Sequence, residues 1–124
     1  MIRLETEAKL QIQHLILDKK TDLIWSFILH YENKDNPYQY KKERIALWEF
    51  IAKDHVYCND EIQDMAKDLQ AKGMRAKDAL HIACALYAKA RFFITTDKKL
   101  LANKVPGLGI VSPIAFLERY YHEI

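Results

Sequence analysis

Three acidic side chains sit where they could do chemistry together. Glu32 follows the apolar run Asp22-Leu23-Ile24-Trp25-Ser26-Phe27, inside Leu29-His30-Tyr31-Glu32-Asn33. Asp97 comes directly after Arg91-Phe92-Phe93-Ile94-Thr95-Thr96. Asp78 stands early in the Ala- and Leu-rich segment 75–90. Magnesium and manganese take hard oxygen donors in near-octahedral sets, usually a few carboxylates completed by water. The cation offsets the repulsion between carboxylates drawn from separate elements. It also activates water and stabilises the charge that builds during phosphodiester cleavage. This placement predicts that Glu32, Asp78 and Asp97 converge in space.

Each residue also has an ordinary reading. Aspartate is a preferred helix N-cap, so Asp97 either binds an ion or caps the helix after it. Asp78 either faces the ion or is a solvated charge in a first helical turn, near Ala85 and Lys89 on the helical wheel and favoured by the helix dipole. Glu32 is one of seventeen acidic residues and equally a surface residue. Residue type and spacing leave both readings open.

The elements that must position these groups follow from periodicity. Residues 3–19 read as a helix with Leu4, Ala8, Ile12, Leu15 and Ile16 on one side. Residues 22–27 read as a buried strand. A short helix follows and stops before Pro37, because proline disfavours helical backbone in the residue before it. Residues 39–53 read as an amphipathic helix, with Ile45, Leu47, Trp48 and Ile51 set against Lys41, Lys42, Glu43 and Arg44. His55-Val56-Tyr57-Cys58 is a candidate strand. Asn59 or Asp60 then caps a helix carrying Ile62, Met65, Ala66 and Leu69, closed by Gly73. Residues 75–90 give the clearest helix and 91–96 the clearest strand. A short helix over 98–103, a strand over 109–112 and a last helix opened by Pro113 complete the chain. Strands separated by helices predict an α/β fold, a parallel sheet of about four short strands with helices on both faces. Ligands in such sheets gather at the C-terminal ends of the strands, which is where Glu32 and Asp97 fall.

The bulk properties set the class. The chain has 124 residues, 50% hydrophobic and 29% charged, which suits one domain with one core. A net charge of +2 does not argue for nucleic acid by itself, so an RNA role needs a local basic patch. Two cysteines, Cys58 and Cys84, form neither a C-x-x-C pair nor a disulfide framework, which fits a reducing cytoplasm. The early charges at Arg3 and Glu5 do not fit a signal peptide. No apolar run approaches the roughly 18 residues of a membrane helix.

Two stretches narrow the reading further. They are Lys77-Asp78-Ala79-Leu80-His81-Ile82-Ala83-Cys84-Ala85 and Phe93-Ile94-Thr95-Thr96-Asp97-Lys98-Lys99-Leu100-Leu101. Gly109-Ile110-Val111-Ser112-Pro113 and Phe116-Leu117 follow in order. Together they resemble the C-terminal half of a PIN domain, with its D-A-x-H-x-A-x-A helix, its strand ending in T-x-D and its closing helix. Trp25 to Asn33 resembles, more loosely, the second strand and following helix, where the family keeps a glutamate. The resemblance implies a Rossmann-like sheet and a magnesium- or manganese-dependent endoribonuclease, with Glu32, Asp78 and Asp97 as the acidic metal cluster. Thr96 would position phosphate or water. Many relatives are toxins held by an antitoxin protein. A catalytically inactive PIN-like assembly module is the alternative.

The family opens with a central strand ending in an aspartate, and residues 1–124 hold no such segment. The expectation is therefore a single PIN-like domain over residues 1–124, N-terminally incomplete, with little or no nuclease activity. Unpaired strands also predict self-association as a homodimer. Four features carry open readings. Tyr38 with Tyr40-Lys41-Lys42-Glu43-Arg44 is either an RNA-contacting patch or a solvated helix face. His81 either approaches the acidic cluster or holds a structural hydrogen bond. Tyr120, Tyr121 and His122 either meet a partner or fold back on the core. Both cysteines are expected to be small buried hydrophobes.

Overall fold

The structure is a computed structural model. It describes residues 2–123, with side chains over 4–122. Among the described residues it is mixed α/β. In chain order the elements are α1 (Ile2–Leu17), β1 (Ile24–Ser26), α2 (Phe27–Lys34), α3 (Gln39–Ile51), β2 (Asp54–Val56), α4 (Asp60–Ala71), α5 (Ala76–Tyr87), β3 (Phe92–Ile94), α6 (Lys98–Leu101), β4 (Gly109–Val111) and α7 (Pro113–Glu123). The chain divides into two compact units. The mid-chain unit is Asp22–Lys89, and the terminal unit joins Met1–Thr21 to Ala90–Ile124.

In the mid-chain unit β1 and β2 pair in parallel, with Trp25 opposite His55. The core is a helix pair. Ile62, Ala66 and Leu69 of α4 are buried, as are Ala79, Ile82 and Ala83 of α5. Their spacing of three and four keeps each set on one helical face. Alanines let the two backbones approach, and Ile62 and Ile82 are fully buried between them. The ends of α4 are set by local chemistry. The Asn59 side chain accepts from the Ile62 N–H at 2.9 Å. At the other end Gly73 takes φ of +103°. The Gly73 and Met74 N–H groups then reach back to the Gln70 and Leu69 carbonyls.

In the terminal unit β3 and β4 pair in parallel, with Phe93 opposite Ile110. Ala8, Val111, Phe116 and Leu117 form the buried cluster, with Ile12, Leu15, Phe92 and Ile94 against it. The Phe92 and Phe116 rings meet edge to face at 5.3 Å. A side chain at Gly109 would meet the Phe92 ring at 2.9 Å, which explains the glycine there. Ser112 caps α7 by accepting from the Ala115 N–H at 3.1 Å, and Pro113 takes the first helical position.

Four expectations need correction. Parallel pairing is present, but as two sheets of two strands rather than one sheet of about four. The strands are also shorter than the apolar runs, since Phe27 already begins α2. On α3, the apolar residues Ile45, Leu47, Phe50 and Ile51 are exposed, and no residue of the helix is buried. It meets α2 through the side that carries Lys42 and Glu49, where His30 bonds Glu49 at 2.9 Å. Leu47 and Phe50 therefore turn away from α2. Cys84 is buried as expected, but Cys58 is exposed.

Candidate carboxylate site

Glu32 lies in the last turn of α2, the helix that begins directly after β1. Its Oε1 is 2.8 Å from His81 Nε2 on α5, across 49 residues of sequence. With the carboxylate ionised, the ring nitrogen donates. His81 is mostly buried, with 11% of its side chain exposed, while Glu32 keeps 35%. The histidine thus holds the hydrogen bond expected of a structural residue, and it makes that bond to a candidate ligand.

Asp78 stands one turn before His81 on the same side of α5. Its Oδ2 accepts from Arg75 Nε and Nη2, both at 2.9 Å. Only 18% of the Asp78 side chain is exposed, so it is no solvated first-turn charge. Arg75 was not evident as a site residue from sequence. The signal was present, because Arg75 is the N-cap of α5 and Asp78 its third residue, the spacing at which capping-box side chains meet.

Asp97 and Thr96 belong to the terminal unit, just past the C-terminal end of β3. Asp97 caps α6, its Oδ1 accepting from the Lys99 N–H at 2.9 Å. Its own N–H donates to Thr95 Oγ1 at 3.1 Å. The capping reading of Asp97 is therefore realised. Thr96 is exposed beside it.

The structure places Glu32 and Asp78 in one unit and Asp97 with Thr96 in the other. Within each unit, among the described residues, no group of three or more His, Cys, Asp or Glu stands close enough to hold a metal ion. The carboxylates are of the donor type that magnesium and manganese take, yet Arg75 and His81 already engage two of them. The grooves lie elsewhere. One of about 480 Å³ in the terminal unit is lined by Leu4, Ala8, Ile114 and Leu117. Another of about 410 Å³ in the mid-chain unit is lined by His55, Tyr57, Cys58 and Tyr87. Neither contains an assigned carboxylate.

Buried polar groups mark the same unit. Burial pushes the Cys84 thiol from 9.0 up to about 11, against the opposing pull of a hydrogen bond with the Ser26 side chain. The Trp25 indole Nε1 on β1 is buried with no hydrogen-bond partner among the described residues. Leaving such a donor unmet costs about 1–3 kcal/mol. No helix among the described residues is long and apolar enough to cross a membrane.

Comparison of the chain with protein-family models, with curated proteins and with solved structures returned no match.

Proposed function

We propose that the chain is a PIN-like, magnesium- or manganese-dependent endoribonuclease domain, of which residues 1–124 cleave only weakly. The observation that carries this reading is the Glu32–His81 bond at 2.8 Å. It brings the glutamate after β1 against the D-A-x-H helix, two pieces that the resemblance connects. Parallel strand pairs separated by helices agree with the same reading. Glu32 and Asp78 of the mid-chain unit would offer the ion oxygen donors, and the resemblance assigns Asp97 as a further ligand. The ion supplies an activated water and charge stabilisation at the phosphate. His81 orients the Glu32 carboxylate, and Arg75 neutralises Asp78 when no ion does. In the same reading the substrate is RNA, the chain pairs with a second copy, and an antitoxin protein restrains it.

The weakness of cleavage follows from the family's opening strand and aspartate, which have no counterpart in residues 1–124. Loss of one ligand displaces the ion, and a displacement near 1 Å costs about a hundredfold in rate. One feature of β1 suits an edge that receives a further strand: among the described residues it pairs with β2 alone.

The second reading is a PIN-like binding or assembly module without catalysis. The engagement of Asp78 by Arg75 favours it, because the guanidinium supplies the charge that a metal would. Incubation of residues 1–124 with mixed single-stranded RNA and manganese separates the two. Slow cleavage, stopped by chelator and by Asp97→Asn, is the expected result. Cleavage indifferent to Asp97→Asn and to Glu32→Gln would remove these residues from the mechanism. No cleavage, together with no saturable manganese binding, would assign the module.

A further inference from the structure

We propose that the first two turns of α3, through Tyr38, Tyr40, Lys41 and Arg44, form a platform for single-stranded RNA. This rests on the ribonuclease reading and goes beyond the carboxylate site. Tyr38 and Tyr40 are 63% and 70% exposed, so neither ring serves the core. Each ring carries a cation. Lys41 Nζ lies 5.0 Å from the centre of the Tyr38 ring. The Arg44 guanidinium lies 5.5 Å from the Tyr40 ring, and its Nη1 donates to the Tyr40 hydroxyl at 3.1 Å. Open aromatic rings interleaved with cations are the two parts that single-strand binding needs. Bases stack on the rings regardless of sequence, and phosphates meet the cations.

Charge points to the same occupant. Residues 34–44 contain four basic and two acidic side chains, so this segment alone equals the chain's net charge of +2. The rest of the chain is balanced. One acidic member, Glu43, lies within the strip and accepts from Gln39 Nε2 at 3.0 Å. The strip is also tied to the helix that bears Glu32. Asn33, the next residue, donates from Nδ2 to the Lys42 carbonyl at 3.0 Å. A strand lying on the tyrosines is thereby fixed in register with α2. Farther along α3, Leu47 and Phe50 are exposed without interleaved cations, which suits protein rather than RNA.

The test is anisotropy of a labelled oligouridine of about 12 nucleotides, within the usual site size of such surfaces, in chelator and low salt. Wild type should bind. Tyr38→Ala with Tyr40→Ala should weaken binding about tenfold or more. Lys41→Ala with Arg44→Ala should flatten the dependence of log affinity on log salt by about 0.7 for each phosphate no longer neutralised. Leu47→Ala with Phe50→Ala should change nothing. All these side chains are exposed, and circular dichroism is the check that each variant is folded. No binding by wild type overturns the platform, as does equal affinity in the tyrosine variant. Weakening by the Leu47 and Phe50 variant equal to that by the tyrosine variant also overturns it, and reassigns the face to a protein partner. Chelator separates this result from the nuclease reading. Tyrosine-dependent binding without manganese-dependent cleavage keeps the platform and removes the nuclease. Cleavage with tyrosine-independent binding does the reverse.

Discussion

The two units engage their acidic residues in different ways. In the mid-chain unit Glu32 and Asp78 are bound by side chains, His81 at 2.8 Å and Arg75 at 2.9 Å. In the terminal unit Asp97 caps α6, its Oδ1 accepting from the Lys99 N–H and its own N–H donating to Thr95 Oγ1. A cap is a local device, complete within three residues. The Arg75–Asp78 pair is equally local, three residues apart, and a competing cation can exchange with its guanidinium; the Glu32–His81 pair joins α2 to α5 and requires the tertiary structure. Their cores differ as well. Alanine and isoleucine fill the α4–α5 seam, whereas aromatic rings close the terminal unit.

The core contrast carries the largest expected effect. Phe116→Ala removes the ring that meets Phe92 and should cost about 3–5 kcal/mol. Ile82→Ala opens a cavity in the α4–α5 seam and should cost about 2–5 kcal/mol. Both tryptophans, Trp25 and Trp48, belong to the mid-chain unit. In urea, Ile82→Ala should lower the tryptophan-fluorescence midpoint. Phe116→Ala should lower the circular-dichroism midpoint more than the fluorescence one. Equal shifts of both probes in both variants would mean that unfolding ignores the division into units.

Cys84 and Cys58 offer a smaller contrast inside the mid-chain unit. The folded Cys84 thiol ionises near 11 and the unfolded one near 9.0. Between those values the unfolded chain binds fewer protons, so stability falls as pH rises. The part of that fall owed to the thiol should vanish in Cys84→Ala, measured by urea midpoints at pH 8 and pH 10, a span chosen around about 9. At pH 8 a thiol reagent should modify exposed Cys58 quickly and Cys84 only on unfolding. Two fast thiols would contradict the burial of Cys84.

The smallest expected effect on stability is at Arg75. Arg75→Gln leaves the Asp78 carboxylate without its guanidinium, and an exposed partner of this kind contributes at most about 1 kcal/mol. Its value lies in metal binding. If Asp78 is a ligand, removing the competing cation should tighten manganese, read by titration. Unchanged affinity would detach Asp78 from the metal and favour the assembly module.

Much of the local structure was legible in the sequence because its causes are local. The cap at Asn59, the turn at Gly73, the opening proline of α7 and the α5 periodicity all act within a few residues. The cap at Asp97 was among the readings for the same reason. Long-range facts were not legible. Glu32 and His81 were both singled out, but nothing in the sequence between them states that they bond. The amphipathic pattern of α3 does not say whether a second element covers its apolar face, and none does at Leu47 or Phe50. The splitting of one expected sheet into two pairs depends on which strands meet, which periodicity does not encode. Tyr120 shows the same limit: its ring stacks on Phe116 at 6.3 Å, while neighbouring Tyr121 is exposed.

Manganese titration of residues 1–124, followed by calorimetry or by loss of the free-ion resonance, tests the central assignment most directly. Glu32, Asp78 and Asp97 as ligands predict saturable binding in the wild type and weaker binding in each of Glu32→Gln, Asp78→Asn and Asp97→Asn, with magnesium competing at the same site. Saturable binding of equal affinity in all four proteins, or no saturable binding in any, would contradict it.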